Sequence, residues 1–258
     1  MNFIKLHIKS KTKKRRNLTP FISVVVPAYN ESARISSTLA QIDRYLTRKR
    51  YSYEIIVVDD GSKDKTANMV EKFARRAKNI YLIKNQKNIG KGYSVRRGML
   101  HASGRIRLFM DADNSVDIFH IDKSIRWLER GYEVVIGSIN IGESKKIEHN
   151  GAHRRFLGSM ATYLIRALAT PKIKDTQRGF KVFSARAAKK IFSRQTIERF
   201  GFDIEILVIA QEHGFRIKEI PVIWDNPEGS AVTLRSYLDT MMELFSIAFG
   251  RIIGRYSS

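Results

Sequence analysis

At 258 residues and 43% hydrophobic, the chain has room for one large α/β domain with an appendage, or two small domains, around a substantial core. With no cysteine it holds neither a disulfide framework nor a thiolate metal site. Its 47 Lys and Arg against 25 Asp and Glu leave a net charge of +22, an excess that asks for an anionic partner: nucleic acid, an acidic membrane face or a phosphorylated substrate.

Residues 1–20 carry Lys5, Lys9, Lys11, Lys13, Lys14, Arg15 and Arg16 without one acid, and read as a basic flexible tail. From Phe21 onward strand and helix patterns alternate. Ile22 to Val26 is a β-branched run ended by Pro27. Apolar residues at Ile35, Leu39, Ile42 and Leu46 place a helix in Glu31–Leu46. Glu54–Val58 is a second strand, followed by the loop Asp59-Asp60-Gly61-Ser62 and a helix over Ala67–Ala77 with Thr66 as its N-cap. Strands at Ile80–Ile83, Ile106–Met110 and Val134–Gly137 alternate with helices over Ser94–Ala102 and Ile121–Leu128.

Near-continuous apolar strands between helices predict an α/β fold whose mostly parallel sheet is covered on both faces. Ligands of such sheets bind beyond the carboxyl ends of the strands. Three polar loops fall there: Pro27–Glu31, Asp59–Ser62 and Asp111–Ser115.

In the second half, Phe156, Leu157, Met160, Leu164, Ala167 and Leu168 form a helical stripe beside Arg154, Arg155 and Arg166. Leu238, Met241, Met242, Phe245, Phe249, Ile252 and Ile253 form another. Core packing is the default for such stripes, and an Arg-rimmed one also suits a membrane interface. Leu238–Ile253, interrupted by Glu243 and Arg251, falls short of a membrane span of ~20 apolar residues. The N-terminus has no apolar signal region. The expectation is a soluble or peripheral protein on the cytoplasmic face of a membrane.

The chemistry concentrates at Asp111-Ala112-Asp113, where an apolar strand meets a loop. Carboxylates at i and i+2 can share one hard cation, and Mg²⁺ or Mn²⁺ takes oxygen ligands, often completed by substrate phosphates. Gly90-Lys91-Gly92 is neither a dinucleotide fingerprint nor a P-loop, since it lacks the required spacing and the Ser or Thr after the lysine.

Taken together and in order, four segments resemble the family 2 glycosyltransferases, which have the GT-A fold. They are Ser23–Glu31, Val57–Thr66, Asn88–Gly92 and Asp111–Asp113. Asp175–Phe183, Gly201–Leu207 and Ile217–Val222 resemble the polyprenyl-phosphate sugar transferases, above all the dolichyl-phosphate glucose synthases and then the mannose synthases. The resemblance implies a GT-A domain over 21–235 and a C-terminal amphipathic helix over 236–258 suited to a membrane surface.

By position, the resemblance places Pro27, Ala28, Tyr29 and Glu31 around the base and ribose. Val58 and Asp60 contact the base, with the Asp60 carboxylate accepting from a ring N–H of uracil or guanine. Ala112 and Ser115 line the sugar-phosphate path and Lys91 approaches the diphosphate. Asp111 and Asp113 hold the metal, Asp113 the more direct ligand. Arg154, Arg155, Arg178 and Lys181 are candidates to cradle an acceptor phosphate. Asp203 and Glu205 are candidates to orient the acceptor.

The implied activity is inverting, metal-dependent transfer of a hexose, glucose favoured, from a nucleotide sugar, UDP-glucose favoured, to polyprenyl or dolichyl phosphate. A second reading keeps the fold and takes a glycan hydroxyl as acceptor, with Asp203 or Glu205 as base. A distant third is a non-catalytic nucleic-acid-binding protein. Against that third reading, there is no nucleic-acid module, and the acids cluster where a groove would be positive; no nucleic-acid partner is expected. The chain departs from its relatives at Ile139, where they carry Arg, and at Ala231, where they carry Lys after Gly-Ser; Arg235 is a candidate to substitute there.

Overall fold

The computed structural model describes residues 19–77, 79–142, 144–147, 169–225 and 234–256. In chain order these form β1 (Ile22–Ala28), α1 (Ile35–Arg48), β2 (Tyr53–Asp59), α2 (Thr66–Arg76), β3 (Ile80–Lys84), α3 (Lys91–His101), β4 (Ile106–Met110), α4 (His120–Glu129) and β5 (Val134–Ser138). Then come β6 (Lys145–Ile147), β7 (Phe180–Ser184), α5 (Ala185–Arg194), α6 (Phe202–Glu212), β8 (Ile217–Pro221), β9 (Ile223–Asp225) and α7 (Leu234–Ile252).

Seven strands make one sheet in the order β3-β2-β1-β4-β7-β5-β8. β1, β2, β3 and β4 run parallel, as do β5 and β8. β7 enters antiparallel between β4 and β5. The sheet is therefore mixed, and the reversal matters for the site. Because β7 runs backwards, its first residues arrive at the same edge where β1, β2, β4 and β5 end.

Alternation along the strands feeds two cores. Val24, Val26, Leu108, Met110, Phe180 and Val182 face α1, α2 and α4 with Ile35, Leu39, Val70 and Ile121. Val25, Val58, Phe109, Val134 and Phe183 face α3, α5, α6 and α7 with Val95, Met99, Ile191 and Phe192. Every residue of α6 from Phe202 to Ala210 is buried, so this helix is apolar nearly all round and lies within that second core. Leu244 and Ile247 of α7 and the following Tyr256 join it.

Two local expectations change. Thr66 does not cap α2. Its backbone N–H and hydroxyl both donate to Asp64 Oδ1, and its hydroxyl oxygen accepts instead from the Glu31 N–H at 2.8 Å. α3 begins at Lys91, three residues before the predicted start, because Gly90 turns the chain with φ 145°. A Cβ there would strike the Glu198 carbonyl, so only glycine fits.

Candidate active site

The three polar loops meet at one edge and are stitched to each other. The Asn30 N–H donates to Ser62 Oγ and the Lys63 N–H to Asn30 Oδ1, each at 2.9 Å. The Ser32 N–H donates to Asp64 Oδ2 at 3.0 Å. Thr38 in α1 donates its hydroxyl to the Ala112 carbonyl at 2.7 Å, which anchors the loop after β4. Asn30 and Asn114 both sit at φ 56°, the left-handed conformation that asparagine tolerates, and there the chain turns sharply out of β1 and β4.

The crevice walls then follow. Pro27, Ala28 and Val58 are buried strand residues, so they present backbone rather than side chain to the edge. Tyr29 is 41% exposed, leaving its ring free to lie against a ligand. Ala112 and Ser115 are buried beneath the turn.

Asp60 is almost fully buried and already engaged. Its Oδ1 accepts from Asn85 Nδ2 at 2.7 Å and the Ile89 N–H at 3.2 Å, and its Oδ2 from the Gly90 N–H at 2.9 Å. One carboxylate thus fixes the chain from β3 into α3 and keeps a single accepting position, on Oδ2.

The same loop delivers Lys91. Its Nζ lies 2.6 Å from Asp111 Oδ1. Burial would lower the ammonium pKa, but Asp111, Asp203 and Asp113 together outweigh it and hold it above that of a free lysine. Asp111 donates its backbone N–H to the Gly179 carbonyl at 3.1 Å, and a Cβ on Gly179 would collide with the Asp111 carboxylate. Asp113 Oδ1 accepts from the Ser115 N–H at 2.9 Å. Burial first, then the neighbouring Asp111 charge, holds Asp113 above the usual carboxylate range. Glu31 across the crevice is likewise raised, chiefly by burial, although Arg34 pairs with it at 2.9 Å.

Asp111 and Asp113 are hard oxygen donors brought to one turn, and among the described residues no group of three or more His, Cys, Asp or Glu forms a closed cage. Such a donor set fits Mg²⁺ or Mn²⁺ completed by phosphate oxygens, and does not fit a structural site.

On the acceptor side the outcome is mixed. Lys181, expected among the free cations for a phosphate, is fully buried. Its ammonium is spent on Asp203, at the first turn of α6, and on the Arg178 carbonyl at 2.7 Å. Burial pushes Asp203 up and Lys181 down, each opposed by the other's charge. Lys181 thereby positions Asp203 instead of offering a charge to a ligand. Glu205 is fully buried as well. It accepts from the Thr196 N–H and hydroxyl, the Ile197 N–H at 2.8 Å and the Tyr256 hydroxyl at 3.3 Å, and so ties the loop beside α3 to the C-terminal segment.

Arg178 does reach the edge. Its Nε donates to Asp175 Oδ2 at 3.0 Å and its guanidinium stacks 4.6 Å from the Trp224 ring centroid. The Ile139 N–H donates to the same Asp175 oxygen at 3.0 Å. Asp175 thus places the Arg178 guanidinium beside Ile139 at the end of β5. Arg154, Arg155 and the segment around Ala231 lie outside the described residues, and Arg235 is the second residue of α7.

Two residues of the site escaped assignment from sequence. Gly179 lies inside a recognised segment, yet only the antiparallel entry of β7 shows that it presses on Asp111. Asn85 bridges Asp60 to Ser94 and takes the Arg97 guanidinium. A polar residue directly after an apolar strand, at the ligand edge, was the available signal.

An Asp-x-Asp turn at the carboxyl edge of a mixed sheet of this order, with a loop from β1 facing it, defines a GT-A glycosyltransferase. Residues 23–192 match glycosyl transferase family 2, and the chain belongs to that family. It is 37% identical over 238 residues to a dolichyl-phosphate beta-glucosyltransferase of Trichomonas vaginalis, covering 88% of this chain and 73% of the relative. It is 33% identical over 252 residues to the Homo sapiens dolichyl-phosphate beta-glucosyltransferase, covering 92% and 78%. Among solved structures, glucosyl-3-phosphoglycerate synthase from Mycobacterium tuberculosis, in complex with Mn²⁺, UDP-glucose and phosphoglyceric acid, shares the fold. Its TM-score is 0.66 at 19% identity, over 89% of this chain and 80% of that one. The protein is an enzyme, a glycosyltransferase.

Proposed function

We propose that the enzyme transfers glucose with inversion from UDP-glucose to a dolichyl or polyprenyl phosphate, at a membrane surface and with a divalent cation. The observation that carries this reading is that neither candidate base is free. Asp203 is closed in an ion pair with Lys181, and Glu205 is saturated by four donor groups. A hydroxyl acceptor needs a base, whereas a lipid phosphate arrives as an anionic nucleophile and needs cations to hold it. Arg178 is the described cation for that task, with Arg154 and Arg155 as further candidates.

The hydrogen-bond inventory of Asp60 favours uridine. Its one remaining accepting position suits uracil, which presents a single ring N–H between two carbonyls. Guanine presents a ring N–H and an adjacent amino group, which call for both oxygens of a carboxylate. A base whose donor is left unpaired in a buried site is strongly disfavoured.

Asp111 and Asp113 would hold Mg²⁺ or Mn²⁺, Asp113 more directly. When bound, the cation acts as a Lewis acid toward the charge that develops on the leaving diphosphate. Lys91, at the N-terminus of α3, adds a positive charge on the same path, where the helix dipole also favours anions.

For the membrane, α7 turns Leu244 and Ile247 into the core and leaves Met242, Phe245, Phe249 and Ile252 exposed, with exposed Ile253 just after it. Among the described residues no helix is long and apolar enough to cross a bilayer. An exposed apolar stripe on a chain of net charge +22 suits an anionic leaflet.

The test is an assay with purified protein, Mn²⁺, dolichyl phosphate and UDP-[¹⁴C]glucose. Label is expected in the organic phase, and lost in Asp113→Asn. Label confined to a water-soluble glycan would establish the hydroxyl acceptor. No lipid label from UDP-glucose, with label from a GDP-sugar, would overturn the base assignment.

A further inference from the structure

The ammonium of Lys91 lies where a divalent cation would compete with it. It is 2.6 Å from Asp111 Oδ1, and Gly179 is packed so closely that even a Cβ there would overlap the Asp111 carboxylate. Asp113 has one oxygen committed to the Ser115 N–H. A metal approaching this pair therefore meets the Lys91 charge already on Asp111 and one Asp113 oxygen already engaged.

Charge counting points the same way. Asp111, Asp113 and Asp203 all act on Lys91, and Lys181 neutralises Asp203. Three carboxylates thus face two ammonium groups. An added divalent cation would leave a half-buried excess of positive charge until an anion joined it.

The attachment of Lys91 links it to the nucleotide. It follows Gly90, whose N–H is held by Asp60. Its side chain is partly exposed and flexible enough to swing from Asp111 toward a diphosphate at the α3 N-terminus.

We propose that Lys91 is a resident counter-cation of the Asp111–Asp113 pair, which a divalent cation displaces only when a nucleoside diphosphate offers Lys91 a new anionic partner. Metal and nucleotide binding are thereby coupled through one side chain. The proposal rests on Asp111 and Asp113 being the cation-holding pair and goes beyond it, because it sets the order and the mutual dependence of binding.

The experiment follows free Mn²⁺ by electron paramagnetic resonance, with and without UDP, in the wild type and in Lys91→Met, Lys91→Arg and Asp113→Asn. The wild type should bind Mn²⁺ at least about tenfold more tightly with UDP than without. Lys91→Met should bind Mn²⁺ without nucleotide about tenfold more tightly than the wild type, and its gain from UDP should shrink. Lys91→Arg, which keeps the charge, should retain the coupling. Equal Mn²⁺ affinity with and without UDP in the wild type overturns the proposal whether or not any variant folds. So does an unchanged or weaker nucleotide-free affinity in a Lys91→Met protein that melts like the wild type. Asp113→Asn that binds Mn²⁺ and UDP as the wild type does would instead overturn the metal pair itself.

Discussion

Lys181 and Asp203 form an ion pair closed to solvent, joining the second residue of β7 to the first turn of α6. The Lys181 ammonium lies over the Phe109 ring, 5.3 Å from its centroid. Removing one partner of such a pair leaves a buried charge uncompensated, so Lys181→Met should cost about 3–5 kcal/mol of stability. Lys181→Met with Asp203→Leu should recover most of that loss, because matched apolar groups replace a desolvated pair. Urea unfolding midpoints of the two variants decide it; a double variant no more stable than the single one would show that the pair's charge is not the cause.

Asp113→Asn should separate stability from activity. Burial and the nearby Asp111 charge hold the Asp113 pKa up, so its ionised form is disfavoured in the fold. The amide keeps an acceptor for the Ser115 N–H and removes that charge. Transfer should fall at least about 100-fold, while the Tm rises by about 2–4 °C, the shift expected for about 1 kcal/mol in a domain of this size. A lowered Tm would mean that the negative charge stabilises the turn.

Gly179→Ala should disable the site with little harm to the fold. The atoms nearest the added methyl belong to the Asp111 carboxylate, a side chain that can swing away. Displacing a metal-holding carboxylate by about 1 Å costs about 100-fold in rate. UDP binding without metal, which the proposed function assigns to Asp60, should persist. Full activity in Gly179→Ala would show that Asp111 tolerates displacement.

The strands around these residues differ in how legible they were. β1, β2 and β4 are mainly apolar runs, broken only by Ser23, Glu54 and Arg107, with acids in the loops that follow, so period and punctuation place both the strands and their ligand edge. β7 reads Phe-Lys-Val-Phe-Ser, and its lysine looks like a surface residue. Only tertiary packing shows that Lys181 is internal, because its partner Asp203 is 22 positions away and reads as the polar start of a helix. For the same reason the sequence alone groups Lys181 with ligand-facing cations. Thr66 reads as a cap in sequence, but Asp64, two residues earlier, takes both its N–H and its hydroxyl proton.

The fold should weaken at mildly acidic pH through His120. This ring is buried, and its Nε2 accepts the Ile223 N–H at 3.2 Å, which requires the neutral form with the proton on Nδ1. Burial lowers its pKa from an ordinary 6.5 to about 4. The unfolded chain thus takes up a proton before the folded one does. The contribution of neutral His120 is complete above pH 6.5 and is lost as pH falls from 6.5 towards 4. The slope from this group is at most about 1.4 kcal/mol per pH unit. His120→Gln keeps an acceptor for Ile223 and should flatten that part of the stability curve in urea titrations from pH 7 to 4. An unaltered curve would assign the acid sensitivity to other groups.

Membrane attachment should depend on one face of α7 and not the other. Phe245 and Phe249 are each 59% exposed and Met242 is 65% exposed, so their removal takes little from the core. Leu244 and Ile247, on the opposite face, are fully buried. Burying an aromatic side chain in a lipid interface is worth about 1 kcal/mol or more, so Phe245→Ser with Phe249→Ser should weaken sedimentation with phosphatidylserine liposomes by about tenfold or more at unchanged Tm. Leu244→Ser should do the reverse, lowering Tm by several degrees through a polar group left in the core. Raising salt should weaken binding of both the wild type and the double variant, since the basic surface contributes independently of the stripe. If the double serine variant binds liposomes as tightly as the wild type, α7 is not the docking face. Attachment would then be attributed to basic residues alone, and the salt series would show it by abolishing binding entirely.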